Sequence, residues 1–437
     1  MYGALARFLA PLVLTLIVQE LGGQFLNSGM ARLPQATQTL AAYGLAWGLV
    51  SFWASPLSQV RQISLVLATS RRSLRHLLGL VVVGSIGLTG VLLLLACTPL
   101  GIWVVGRGHG VAGPLLDTVL RALFWLAPYP IFYGMSRFLA GLLLQVRRPA
   151  VITWSTLASI GLSITLVLTL VPTEFIRTDP IRLPLLVTYG GALLDMAILA
   201  AGYYLLVRGQ LQAQSANDPQ TIYVLRFFWP LALVMAIQGL SRPAINLYVG
   251  LQAGGEAALA VLTVVYTVAH TGYGWLNEMR SLAPAFVHQQ NSLRSIQRFA
   301  LAAGLVSFAV MGMAFWTPVR EFLLVDLIGV QPNLAAQCRI PLMLFTFFPL
   351  VVALRAHWHG VALVQHRTQA LWPSAPARLG AILVSLYILN RLGLEGAALG
   401  VAALLVGFTA EGGAVWWMMR GSGRPSKGKG VKASGKI

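Results

Sequence analysis

The sequence predicts an all-α polytopic membrane protein with twelve transmembrane helices in two parallel lobes of six. Of the 437 residues, 57% are hydrophobic and only 10% are charged, whereas soluble domains carry about 25% charged residues. Apolar runs of bilayer-spanning length recur from Ala4 to Met419. The two halves of the chain also repeat at a constant spacing. Together these observations exclude an ordinary soluble protein and a protein with a single membrane anchor.

The apolar runs divide the chain into twelve candidate spans. The first follows an early Arg7 and lacks a cleavage site of the signal-peptide type, so we expect it to be retained as a helix. The spans are expected at residues 8–29, 38–69, 77–105, 115–145, 150–172, 183–207, 227–250, 257–288, 297–318, 336–365, 371–390 and 395–419. They group into an N-terminal lobe, a cytosolic connector, a C-terminal lobe and a disordered basic tail, at residues 1–208, 209–225, 226–420 and 421–437.

Basic residues are unevenly distributed between the two sides of the membrane. With the N-terminus inside, 17 of the 31 Lys and Arg residues fall on the cytosolic side, 8 on the outer side and 6 within spans. Because cytosolic loops are enriched in Lys and Arg, both termini are expected in the cytosol of a plasma (inner) membrane protein. The net charge of +19 then follows from the membrane topology. We expect membrane lipids, and not nucleic acid, as the partner of these basic residues.

The internal repeat has an ungapped offset of 219 residues. Gln19 recurs as Gln238, Arg61 as Arg280, and Gly141 as Gly360. Each repeat holds six spans, an even number, so both enter the membrane in the same orientation and are related by an axis along its normal. Two such bundles around a central cavity are typical of transporters that rock to expose a substrate on alternate sides.

Charged residues within the spans indicate what such a cavity would bind. A charge at mid-bilayer is costly unless it is paired or hydrated. Arginines outnumber acids there by two, so we expect a hydrated basic cavity and a small anionic substrate. The arginines are Arg61, Arg137, Arg242, Arg280, Arg355 and Arg378, and the acids are Glu20, Asp195, Glu278 and Glu411.

Helical spacing groups the candidate substrate-binding residues into stripes. These are Gln238, Arg242 and Asn246 in span 7; Tyr266, His270, Tyr273, Asn277 and Arg280 in span 8; Arg355 and His359 in span 10; Arg137, aligned with Tyr129 and Tyr133, in span 4; and Arg61 in span 2. Arg242, Arg280 and Arg355 are the proposed anion cradle, since guanidinium groups match carboxylate and phosphate oxygens. Arg61 and Arg280 have a structural alternative as snorkelling residues, and His270 and His359 have one as core histidines.

Other function classes lack support in the sequence. There is no phosphate-binding loop and no nucleophile elbow, so an enzyme is not expected. Two cysteines, Cys97 and Cys338, cannot form a disulfide framework or a cysteine-based metal cage, and neither metal nor cofactor is expected. We expect a monomer. A flippase for lipid-linked sugars or polysaccharide precursors remains the alternative within transport.

Several segments resemble the progressive ankylosis protein family. They are Leu40–Ser55, Phe228–Val249, Tyr266–Phe286, Phe347–Gly360, Trp316–Pro318 and Asp326–Val330. That family is similar to the multidrug/oligosaccharidyl-lipid/polysaccharide flippase superfamily, so the resemblance implies the two-lobed, MATE-like fold. It also implies export of anions, through release of nucleoside triphosphate that raises extracellular pyrophosphate, or through efflux of citrate or malate. The short basic tail and compact connector differ from animal members.

Overall fold

A computed structural model describes residues 1–107, 111–210, 219–252, 254–286 and 292–421, except the side chains of residues 20, 21, 24, 292 and 421. All regular elements in these ranges are helical. The predictions for the basic tail and for the middle of the connector fall outside the described residues. The acid Glu20, which the sequence places in the first span, has its side chain outside them as well.

Within the described residues, the N-terminal half contains ten α-helices. They are α1 (Tyr2–Met30), α2 (Ala36–Ala54), α3 (Val60–Leu67), α4 (Arg71–Cys97), α5 (Pro99–Gly101), α6 (Pro114–Leu126), α7 (Tyr129–Gln145), α8 (Pro149–Leu170), α9 (Glu174–Thr178) and α10 (Arg182–Gly202). A 3₁₀ turn at Ser55–Gln59 joins α2 to α3, and π-helical turns follow at Ile102–Arg107 and Tyr203–Val207. Within this half, α8 packs against both α1 and α10, and α7 packs against α3 and α4.

The C-terminal half has the same succession of long helices. They are α11 (Thr221–Gly250), α12 (Gly255–Tyr273), α13 (Leu282–Phe286), α14 (Ser292–Trp316), α15 (Val319–Glu321), α16 (Pro332–Gln337), α17 (Arg339–Phe345), α18 (Phe348–Val364), α19 (Ser374–Arg391) and α20 (Gly396–Gly421). 3₁₀ helices lie at Gly274–Ser281 and Thr368–Ala370, and a π-helical turn lies at Phe322–Leu327. Here α20 packs against α18 and α19, and α18 against α14.

Eleven helical stretches in the described ranges are long and apolar enough to cross a membrane. A twelfth is obtained if α6 and α7, which are bent by 41° relative to each other, form one span. The span predicted at 115–145 is therefore not one straight helix. Pro128 and Pro130 flank the start of α7, and proline removes a helical hydrogen bond and clashes with the preceding turn.

The two halves meet through side chains at one end of the helices. Gln62 bonds Ser281, its repeat equivalent, at 3.4 Å, and Arg147 Nε donates to the Ala285 carbonyl at 2.9 Å. Phe8 packs edge-on against Phe286. We call these three contacts the closed end. It is the end at which α1 begins, because helices of alternating direction bring residues 8, 147 and 286 to the same side.

Two repeat-equivalent glycines set the positions of two central arginines. A Cβ added at Gly141 of α7 would clash with the Arg61 carbonyl oxygen, and one added at Gly360 of α18 would lie 2.8 Å from the Arg280 carbonyl oxygen. Both neighbours are backbone atoms, which cannot rotate away. Each glycine therefore permits the close helix packing that fixes an arginine-bearing segment.

Replacement of Gly141 or Gly360 with alanine should destabilise the protein by about 1–3 kcal/mol, the usual cost of overpacking. Thermal unfolding in detergent measures this. Gly87→Ala is the matched control, because nothing lies within 4 Å of a Cβ there and alanine is the better helix former. A midpoint for Gly360→Ala at or above that of Gly87→Ala would contradict this assignment.

Candidate functional site

A cavity of about 490 Å³ lies mainly within the C-terminal half. Leu16, Ser55 and Gln59 of the N-terminal half complete its wall. Eight of the twelve predicted site residues line it: Gln238, Arg242, His270, Tyr273, Asn277, Arg280, Arg355 and His359. The stripes predicted in spans 7, 8 and 10 thus converge on one space.

Two arginines of this cavity, Arg242 and Arg280, form no ion pair with a carboxylate among the described side chains. The Arg242 guanidinium lies 4.7 Å from the ring centre of Tyr266, and its side chain is exposed in the cavity. Arg280 has a buried Nε with no hydrogen-bond partner. Both residues line the cavity, and guanidinium groups match the oxygens of an anion.

The other two arginines of the cavity share one buried carboxylate. Arg355 Nη1 and Arg378 Nη1 lie 2.9 and 3.1 Å from Glu411 Oε2, and Gln238 donates to Oε1 of the same group. Arg355 also donates to the Asn277 side-chain oxygen. Glu411 is fully buried, so this network both neutralises the carboxylate and fixes Arg355 and Arg378 in place.

A second ion pair joins the halves at the base of the cavity. Arg61 Nη2 lies 2.8 Å from Glu278 Oε1, and the two side chains are only 8% and 9% exposed. The other Glu278 oxygen, Oε2, has no hydrogen-bond partner. Around the cavity, five arginines face two glutamates among the described side chains, so three positive charges remain unmatched.

Four predicted residues lie elsewhere. Asn246 is exposed and does not line the cavity, because over eight residues a helix advances about 12 Å and turns about 80° past two full turns. Tyr266 lies behind Arg242 and supports it. Arg61 contacts the cavity only through Glu278. Arg137 faces a different cavity, in the N-terminal half.

The stripe predicted along span 8 is not a continuous α-helix. After Tyr273 the chain becomes a 3₁₀ helix, Gly274–Ser281, in which residues three apart are eclipsed. Asn277 and Arg280 are three apart and both face the cavity. The 3₁₀ geometry therefore retains the polar face that the sequence predicted by α-helical spacing.

Sequence reasoning missed three residues that shape the cavity. Glu278, Arg378 and Glu411 were counted as embedded charges, and none is among the twelve candidate substrate-binding residues. They act through ion pairs with residues that are 217, 33 and 56 positions away in the sequence. The sequence indicated their importance only by placing a charged residue inside a predicted span.

Comparison with known protein families identifies the family to which this sequence is similar. Residues 1–317 match the family model of the progressive ankylosis protein, which confirms the resemblance noted from the sequence. The matched region covers well over half of the chain. It includes the N-terminal half and the first part of the C-terminal half.

Solved transporter structures are similar over almost the whole chain. The eukaryotic MATE transporter AtDTX14 has a TM-score of 0.73 at 14% identity, covering 96% of this chain and 95% of that one. A MOP superfamily transporter from Pyrococcus furiosus, described as having a binding pocket of reverse polarity, has a TM-score of 0.71 at 16% identity, covering 96% and 95%. A mutant of the Vibrio cholerae MATE transporter VcmN has a TM-score of 0.67 at 14% identity, covering 96% of each chain. The predicted two-lobed, MATE-like fold class is confirmed.

Proposed function

Because the chain belongs to the progressive ankylosis protein family and has the fold of the MATE transporters, we propose that it exports multivalent organic anions. Export occurs by alternating access through the basic cavity of the C-terminal half. The observation that carries this proposal is the excess of positive charge in that cavity. Arg242 and Arg280 in particular form no ion pair with a carboxylate among the described side chains.

An anion is the ligand that relieves this excess. Unpaired charges in a low-dielectric site are unfavourable, and a bound carboxylate supplies both counter-charge and acceptors for the guanidinium donors. An organic cation would meet repulsion from the same groups. The cavity volume of about 490 Å³ is in the usual range for small-molecule sites.

Citrate and related di- or tricarboxylates are the first choice of cargo, with ATP and pyrophosphate second. Several carboxylates at fixed spacing can use Arg242 and Arg280 together, whereas a monocarboxylate can use only one well. Multivalency therefore raises affinity without new protein contacts. Arg355 and Arg378 contribute positive potential but are already bonded to Glu411.

The closed end supplies the conformational part of the mechanism. With both termini in the cytosol, as the bias of basic residues suggests, the closed end is cytosolic and this structure is the outward-facing state of a plasma (inner) membrane monomer. Rocking of the lobes would break the Arg61–Glu278 pair and open the cavity inward. Outward movement of an anion is favoured by about 2.3 kcal/mol per charge per 100 mV, inside negative.

Efflux from proteoliposomes preloaded with labelled citrate, ATP or pyrophosphate tests the proposal. We expect citrate to leave fastest and the rate to rise with an inside-negative potential. Efflux of only ATP or pyrophosphate would move the cargo to phosphates and keep the basic cavity. Absence of all three fluxes, with protein oriented and folded, would overturn anion export and favour the flippase for lipid-linked sugars.

A further inference from the structure

The N-terminal half contains a second cavity, of about 500 Å³. Helices α1, α2, α7, α8 and α10 form it, and no described residue of the C-terminal half lines it. It is thus separate from the basic cavity, although the two have nearly equal volumes. Nothing in the proposed anion export requires it.

The two cavities are formed by equivalent positions of the repeat but differ in chemistry. Gln19 and Gln238 both line their own cavities at the 219-residue offset. At the other paired positions the basic cavity has Arg242, Arg355, Ala356 and Arg378, where the N-terminal cavity has Gly23, Ser136, Arg137 and Ser159. Of the described side chains in the N-terminal cavity, Arg137 and Asp195 are the charged ones, so their charges cancel.

One wall of the N-terminal cavity is a row of aromatic rings. Tyr43 stacks on Trp47 at 6.0 Å, Trp47 meets Tyr129 edge-on at 4.9 Å, and Tyr129 stacks on Tyr133 at 5.8 Å. The Arg137 guanidinium lies 5.1 Å from the Tyr133 ring centre. Because the rings already pack on one another, they form a continuous aromatic wall and leave no slot for a further ring between them.

The facing helix, α8, presents hydrogen-bond acceptors. Thr156, Ser159 and Ser163 each donate their hydroxyl hydrogen to a carbonyl of their own helix, at 3.0, 3.0 and 2.8 Å. Their oxygens therefore remain as acceptors toward the cavity. Asp195 adds a carboxylate, of which Oδ1 accepts from Ser155 at 2.7 Å. A ligand on this side must donate hydrogen bonds, and a fully ionised carboxylate or phosphate has none to donate.

Donors lie close by in the same cavity. The guanidinium-bearing Arg137 lines the wall, as do the amide-bearing Gln19 and Asn27. An organic amine would satisfy the acceptors but would leave the cavity with a net positive charge, because Arg137 and Asp195 already balance each other. A hydroxyl group can donate to one neighbour and accept from another, so it matches both kinds of wall at no cost in charge.

We propose that the N-terminal cavity is a binding site for a neutral ring bearing several hydroxyl groups, of the chemical class of monosaccharides. The ring lies with its C–H face on the Trp47–Tyr133 wall. Its hydroxyls donate to Ser159, Ser163 and Asp195 and accept from Arg137. This site is independent of anion export and adds a second ligand to the same molecule.

Equilibrium dialysis of the detergent-purified full chain against labelled glucose, N-acetylglucosamine and myo-inositol tests this site. We expect saturable binding of at least one of these probes. The double variant Ser159→Ala, Ser163→Ala should raise its Kd at least about tenfold, since two hydrogen bonds are lost. Both serines bond only carbonyls of their own helix, so this variant should fold normally.

The double variant Thr165→Ala, Thr169→Ala is the matched control. These threonines lie on the same helix, also bond its carbonyls, and are exposed outside the cavity. We expect them to leave the Kd unchanged. The proposal is overturned if none of the three probes binds, if the serine and threonine variants behave alike, or if labelled tyramine binds in place of the polyols.

Discussion

Replacing Arg280 with alanine is expected to reduce the rate of citrate transport at least tenfold while the protein still folds. Arg280 lines the cavity and forms no ion pair with a carboxylate among the described side chains, whereas Glu278 is paired with Arg61. Its removal therefore leaves no buried carboxylate unpaired, and it deletes a charged hydrogen bond to cargo, worth about 1.5–3 kcal/mol. Arg242→Ala should act in the same direction. Initial rates in proteoliposomes, normalised to correctly inserted protein, measure both.

Substitution of an arginine bonded to Glu411 should lower the stability of the protein, unlike substitution of Arg280. Arg355→Ala leaves a fully buried carboxylate with one arginine instead of two, and loss of a partner from a buried pair costs about 3–5 kcal/mol. We therefore expect a lower unfolding temperature for Arg355→Ala and a normal one for Arg280→Ala. Arg72→Ala, an exposed arginine outside the cavity, controls for loss of charge. Full transport by Arg280→Ala would remove Arg280 from the cradle.

The second large effect concerns the closed end. A Gln62→Cys, Ser281→Cys protein, with Cys97→Ser to remove an exposed thiol, should cross-link under mild oxidation. The native side chains approach to 3.4 Å. The cross-link should abolish transport, and reduction should restore it, because alternating access needs the lobes to separate there. Gel mobility and flux measured on the same sample report both.

Adding Glu278→Gln to that protein should slow cross-linking at least about tenfold. The change removes the negative charge of Glu278, which pairs with Arg61 of the other lobe at 2.8 Å. The closed end should therefore lose a substantial part of the free energy that breaking a buried ion pair costs. The comparison is an Asn27→Cys, Asn246→Cys protein, whose cysteines lie at repeat-equivalent positions toward the other end of the helices. Adding Glu278→Gln to that protein should speed cross-linking. Transport that continues in the cross-linked Gln62→Cys, Ser281→Cys protein would refute the rocking mechanism.

The sequence predicted the fold, and the meeting of several polar stripes in one cavity, more completely than it predicted which charged residues form ion pairs. Hydropathy and the 219-residue offset suffice for twelve spans and two lobes, because both signals are local or periodic. The offset also relates positions in the two cavities, such as Gln19 and Gln238. Helical spacing placed His270 and His359 in the site, and spacing together with its charge inside a span placed Arg242 there.

Pairing between helices could not be predicted in the same way. Arg355 was assigned to the cradle as if free, yet it is bonded to Glu411 of α20, 56 residues away. Arg137 was grouped with the other embedded arginines, although α7 directs it into the N-terminal cavity. Helical periodicity tells which residues share a face, and only the packing of helices tells which faces meet.

The most direct test of the central claim, that unpaired arginines make the C-terminal cavity an anion site, is equilibrium binding of labelled citrate to the purified protein. We predict saturable binding to the wild type that weakens with added salt, as a charge-based site requires, and that is lost in Arg242→Ala, Arg280→Ala. Undiminished citrate binding by that double variant, folded as judged by thermal unfolding, would contradict the account.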